Sequence, residues 1–242
     1  MLTRGSDEFA QLAGLGWIGK NTLLLNRSAG SWFFLAALLT DVELEYDVPH
    51  ETDHCGTCTA CLDACPTQAF VAPYVLDSRR CISYLTIELR TNVPAELRAG
   101  VGDWVFGCDV CQEVCPYNRA ARPMEDPDFL PRVGIGPKPA LIPLMGLDAS
   151  AFKERFRGSP ILRPKRRGFL RNVAVALGNA KDPVAVPVLA RALEDEEPLV
   201  RSHSAWALGE IGGNDARAAL DRARLKESDE GVLGEISAAI AR

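Results

Sequence analysis

All eight cysteines of this 242-residue chain lie between positions 55 and 115. The run "CGTCTACLDACP" places Cys55, Cys58, Cys61 and Cys65 ahead of Pro66, and "CDVCQEVCP" places Cys108, Cys111 and Cys115 ahead of Pro116. Cys81 stands alone between them. In a Cys-x-x-Cys-x-x-Cys run three thiolates wrap one corner of a four-iron four-sulfur cube. The cysteine after a further three residues, before proline, turns away to ligate a second cube. That rule assigns Cys55, Cys58 and Cys61 to one cluster, completed by Cys115. It assigns Cys65, Cys108 and Cys111 to the other. A symmetric arrangement would find the missing ligand at 105, but that residue is Val105, so Cys81 takes the place. Zinc is the competing use of clustered thiolates, yet the tight triple followed by Cys-Pro is an iron–sulfur spacing. His54, beside the first cysteine, reads as a loop residue.

A net charge of −5 argues against a uniformly basic nucleic-acid binder. No apolar leader follows Met1, and the longest apolar run, 32–39, is too short to span a bilayer. The expectation is a cytoplasmic monomer with no membrane association. A reducing compartment disfavours disulfides and leaves cysteines to metal chemistry.

"GLGWIGKN" contains Gly14, Gly16 and Gly19 in the dinucleotide-fingerprint spacing, and Lys20 nearly completes a phosphate loop. Both motifs require a preceding buried strand. Here "DEFAQLA" precedes and reads as helix, so the glycines mark a tight turn where backbone closely approaches something. The following "TLLLN" and "WFFLAALLTDVEL", joined by a polar turn, suggest a hairpin of buried strands. From about 165 alanine and leucine recur at helical spacing. Aligning Ala176-Leu177-Gly178 with Ala207-Leu208-Gly209 gives a 31-residue period that carries Leu189 onto Leu220, with a weaker third copy near Val232. This is an α-solenoid of HEAT type. Just before it, residues 151–172 hold eight basic side chains and one acid, a local charge of +7 against −12 for the rest. Lys165, Arg166 and Arg167 there are candidate contacts to nucleic-acid phosphates; a solvated linker and helix face is the plainer reading.

The segments "AGLGWIGKNTLLLN", "CGTCTACLDACPTQAF", "LDSRRCISYLTIELR", "GCDVCQEVCPYN" and "GSPILRPKRRGFLRNVAVALGN", followed by HEAT-like repeats, resemble those of the epoxyqueuosine reductases. The resemblance implies an α+β chain in four parts. Residues 1–50 would be the C-terminal part of a cobalamin-binding α/β domain, 51–130 a ferredoxin-like domain with two four-iron four-sulfur clusters, 131–164 a linker with the basic segment, and 165–242 the repeats. It implies reduction of epoxyqueuosine to queuosine at the wobble position of tRNA, electrons passing through both clusters to cobalamin. The partners implied are a tRNA anticodon stem-loop and an external electron donor. By position Ser83 and Asp109 would contact cobalamin and Glu88 the substrate base or its neighbour. The aspartate expected as general acid would lie at or before Met1, which implies slow or absent turnover for residues 1–242 alone. Two other readings remain: a bare electron-transfer module, and a relative of the reductive dehalogenases, which would usually be exported and lack both repeats and basic segment.

Overall fold

The computed structural model describes residues 5–119, 121, 136 and 138–242. Along the chain run α1 (Gly5–Leu12), β1 (Trp17–Ile18), β2 (Leu24–Leu25), α2 (Ala60–Asp63), β3 (Phe70–Ala72), β4 (Val75–Leu76), α3 (Ala95–Val101), α4 (Val110–Glu113), α5 (Leu141–Met145), α6 (Ala149–Arg155), α7 (Lys165–Ala180), α8 (Val186–Ala192), α9 (Pro198–Ile211), α10 (Asn214–Arg224) and α11 (Glu230–Ile240). A π-helical turn covers Tyr84–Glu88. The chain divides into two compact units, Met1–Cys81 with Asp109–Leu130 and Ile82–Cys108 with Pro131–Arg242. Of the expected linker at 131–164, positions 131–135 and 137 lie outside the described residues.

In the first unit "DEFAQLA" is helical, as α1. The long hairpin is not there. Trp17 and Ile18 pair antiparallel with Leu25 and Leu24, and residues 33–40 form no strand. Phe34, Leu38 and Leu39 are 86%, 94% and 101% exposed. An apolar run read as a buried strand requires a sheet to cover it, and the described residues supply only two two-stranded sheets. The glycine-rich turn is as tight as its composition suggests. A Cβ on Gly16 would stand 2.0 Å from the Leu25 carbonyl oxygen, so only glycine lets these backbones meet.

The second unit is built around α7, buried on nearly every side from Gly168 to Gly178. Helices α7 and α9 pack along each other, as do α9 and α11. The aligned glycines make both packings possible. A Cβ on Gly178 would lie 2.9 Å from Ala207 Cα, and one on Gly209 would lie 2.8 Å from Ala239 Cβ. The 31-residue period thus repeats one glycine-on-alanine approach, and Leu189 and Leu220 are both buried beside it. Arg171, fully buried, donates to the Leu85, Leu89 and Thr91 carbonyls at 2.5, 2.9 and 2.8 Å. Asn172 accepts from Arg171 and donates to the Thr86 and Val105 carbonyls at 2.7 and 2.9 Å. Together they satisfy backbone that the π-turn leaves without ladder partners. His203 on α9 is equally buried and accepts the Val93 amide proton on Nε2 at 3.2 Å.

Gly178→Ala or Gly209→Ala should destabilise by about 1–3 kcal/mol through overpacking, offset in part by better helix propensity. A lowered urea midpoint is expected; an unchanged one would mean the helices separate freely. Burial, then Arg98, holds His203 down to about 3, against an ordinary 6.5. The unfolded state therefore binds more protons between those values, so stability is full above about 6.5 and declines as pH falls, by up to about 1.4 kcal/mol per pH unit. His203→Gln should flatten this slope above the carboxylate range, read by urea unfolding at stepped pH.

Candidate metal centre

Cys55, Cys58, Cys61 and Cys115 line one cavity of about 190 Å³ in the first unit, together with Lys20, Asn21, Leu25, His54, Ala60, Pro116 and Tyr117. The sequence places them there by short-range means. Cys61 rides on α2, a helix of four residues. Pro116 pushes Cys115 into an extended conformation, φ −71° and ψ 124°, which turns it off the end of α4. Asp53 accepts the Cys55 amide proton at 2.8 Å and the Tyr74 hydroxyl, fixing the approach to the first cysteine. Lys20 Nζ donates to the Gly56 and Cys58 carbonyls at 2.6 and 2.9 Å, so it straps the cysteine loop. The lysine of the apparent phosphate loop is therefore engaged by protein backbone. Behind the cysteines Trp17, 1% exposed, meets the His54 and Tyr117 rings edge-on at 4.8 Å and stacks on His50 at 5.5 Å. Tyr117 donates its hydroxyl to the His54 carbonyl at 2.9 Å.

The electrostatics identify what the cavity wants. Burial pushes the Cys61 thiol up, and the neighbouring Cys55, Cys115 and Cys58 push it further, because gathered thiolates repel. Burial also raises Cys55, while the nearby Lys20 backbone and Trp17 indole act in the opposite direction. A polycationic occupant removes that conflict. A single zinc ion would draw its thiolates to about 2.3 Å from one point. Among the described residues no three His, Cys, Asp or Glu side chains gather so closely. The cavity is about six times the roughly 30 Å³ share of one liquid water. The size of the cavity fits a cube rather than a single ion.

The second predicted set is divided. Cys65, Cys81 and Cys111 belong to the first unit and Cys108 to the second. Cys65 Sγ accepts from the Ala69 amide at 3.3 Å. Ser83 Oγ accepts the Cys108 amide proton at 3.0 Å and donates to its carbonyl at 3.2 Å, so this hydroxyl fixes the backbone of a cysteine. Asp109 accepts from Gln112 Nε2 at 3.0 Å. Glu88, at the end of the π-turn, accepts from Arg163 Nε at 2.5 Å. Ser83, Asp109 and Glu88 are thus all engaged within their own units. Arg166 forms a two-pronged ion pair with Asp195 and donates from Nε to the Leu147 carbonyl at 2.8 Å. Arg167 lies 3.8 Å from Glu197, and Lys165 is exposed.

Sequence reasoning missed Lys20 and Asn21 as cavity-lining residues, and Trp17 behind the cysteines. Their signal was present in the glycine-rich turn, whose close approach had no named target. Cysteine spacing points to the cluster but not to what encloses it.

These features define an iron–sulfur protein with a helical-repeat unit. Residues 54–118 match a 4Fe-4S double cluster binding domain and 162–241 match HEAT repeats. The chain is 52% identical over 207 residues to the epoxyqueuosine reductase of Pseudomonas aeruginosa, covering 84% of this chain and 56% of that protein. It is 46% identical over 201 residues to that of Escherichia coli, covering 83% and 52%. A crystal structure of epoxyqueuosine reductase with an epoxyqueuosine-modified tRNA-Tyr stem loop superposes with a TM-score of 0.90 at 37% identity, covering 98% of this chain and 62% of that one. The chain is similar to epoxyqueuosine reductases along most of its own length and spans about half the length of the curated relatives it matches.

The Lys20 strap carries two charge-assisted hydrogen bonds at a partly exposed site, about 1–2 kcal/mol in all. Lys20→Met should speed loss of one cluster to an anaerobic chelator about five- to thirtyfold. An unchanged rate would show that the loop holds without it.

Proposed function

We propose that this chain carries the electron-transfer and tRNA-facing parts of an epoxyqueuosine reductase, serving reduction of epoxyqueuosine to queuosine at the tRNA wobble position. The observation that carries this reading is the four-cysteine cavity, in a chain 52% identical to a named epoxyqueuosine reductase. The net change is one epoxide, two electrons and two protons giving an alkene and water. Two four-iron four-sulfur clusters and cobalamin would supply the one-electron carriage and the reducing cobalt. Cys55, Cys58, Cys61 and Cys115 fit one cluster by the size of their cavity. For Cys65, Cys81, Cys108 and Cys111 the support is spacing and the double-cluster match. For cobalamin it is the resemblance alone, and the engaged hydroxyl of Ser83 suits a role in holding Cys108 better.

The proposed division of the chain is 1–50 as the end of a cobalamin-binding domain, 51–130 as ferredoxin-like, 131–164 as linker and 165–242 as repeats. Exposed Phe34, Leu38 and Leu39 support the first assignment, since such side chains belong against a covering surface. No helix among the described residues is long and apolar enough to cross a membrane. The tRNA-facing charge is narrower than composition implies. Arg171 is buried and Arg166 is held by Asp195 in a two-pronged pair, while Arg167 meets Glu197 only at 3.8 Å, so Lys165 and Arg167 are the proposed phosphate contacts of the three-residue basic cluster.

Anaerobic reconstitution should yield about eight irons and eight sulfides per chain, and Cys81→Ala should lose half of them. Zinc without acid-labile sulfide would defeat the reading. Lys165→Glu with Arg167→Glu should weaken binding of an epoxyqueuosine-modified stem loop and reduce its salt dependence at unchanged iron content. Equal affinity would return this segment to a solvated helix face.

A further inference from the structure

Asn21 is 3% exposed and lines the same cavity as Cys55, Cys58, Cys61 and Cys115. Its Oδ1 accepts the Leu23 amide proton at 3.3 Å, inside a turn where Thr22 adopts φ +63°. That bond orients the amide and assigns oxygen and nitrogen. The nitrogen, Nδ2, is buried and donates to nothing among the described residues. An unmade hydrogen bond at such a buried donor costs about 1–3 kcal/mol. Flipping the amide would sacrifice the Leu23 bond. Trp17 Nε1 is a second buried donor without a hydrogen-bond partner, and the indole acts on Cys55. The residues that line the cavity with the four thiols therefore include one, Asn21, whose buried N–H group has no acceptor among the described residues.

We propose that the Asn21 side-chain amide donates an N–H···S hydrogen bond to the cluster held by Cys55, Cys58, Cys61 and Cys115, and raises its reduction potential. Adding an electron to a cluster concentrates negative charge on its sulfurs. A preoriented donor stabilises the reduced form more than the oxidised one, and hydrogen bonds to sulfur are among the factors that set cluster potentials. The inference rests on the proposed occupancy of this cavity by a four-iron cluster. Asn21 tunes the potential rather than contributing a ligand.

The test uses the anaerobically reconstituted full chain and two variants. Asn21→Asp keeps an acceptor for the Leu23 amide and removes the donor; Asn21→Leu removes both. In redox titrations followed by electron paramagnetic resonance, one midpoint should fall in each variant while the other stays. The shift expected is about tenfold in the reduction equilibrium, or about 59 mV for one electron. Parent protein with isotope-labelled asparagine side-chain amides should show nitrogen hyperfine coupling to the reduced cluster, lost in both variants. Unmoved midpoints at full iron content would overturn the inference. If both variants lose the cluster, the labelled parent decides, and absence of coupling overturns it. A parent without four-iron clusters would instead defeat the occupancy on which the inference rests.

Discussion

Four cysteines converge on one cavity, and the first unit is organised around bringing them together. Cys61 feels the charges of Cys55, Cys115 and Cys58, and in a medium of low dielectric those interactions are costly. Folding brings the thiols together only because each loop end is tied independently. Asp53 holds the Cys55 amide, Lys20 holds the carbonyls of Gly56 and Cys58, and Pro116 turns Cys115 outward from its short helix. The unit has only short helices and two-residue or three-residue strands to work with. Its order depends on these ties.

The second unit solves a different problem with the opposite means. Its helices bury apolar surface in a regular stack, and irregular backbone is the exception. The exception is the stretch around the π-turn, where carbonyls lack ladder partners. Arg171 and Asn172, adjacent on α7, satisfy five of them between them. Burying a guanidinium depresses it, to about 10 here, but leaves it charged. The cost is offset by dipoles aimed at it from three carbonyls. Ser83 lies just before that turn and holds Cys108 through both backbone groups. A cysteine assigned to a cluster is thus positioned by a segment whose own order depends on one buried arginine.

The cysteine sets and the repeat were legible because each rests on a local rule. Cys-x-x-Cys spacing reflects loop geometry, and the 31-residue offset between Gly178 and Gly209 reflects one helix contact made twice. What failed was inference from hydropathy about distant partners. "WFFLAALL" reads as a buried strand, yet Phe34 and Leu39 are exposed because no sheet in the described residues receives them. The cavity wall was hidden for a related reason. Lys20 lies 36 residues from Gly56, and no periodicity links a glycine-rich turn to a cysteine loop so far along the chain. The basic segment misled in the other direction, because composition counts charges without their partners. Arg166 and Asp195 are 29 residues apart and neutralise each other.

The position of the remaining charge bears on its purpose. Lys165 opens α7 and Arg167 stands in its first turn, where the helix dipole is positive and cations are unfavourable by roughly 0.3–1 kcal/mol each. Arg166 and Arg167 find acids on the loop between α8 and α9, Asp195 and Glu197. Lys165 has no ion pair among the described residues and adopts φ +60°, a conformation that L side chains rarely take. Neither helix stability nor packing accounts for an exposed lysine held there. A polyanion at this end of α7 would reverse the sign of the dipole penalty, since the same N-terminal amides that repel a cation attract a phosphate.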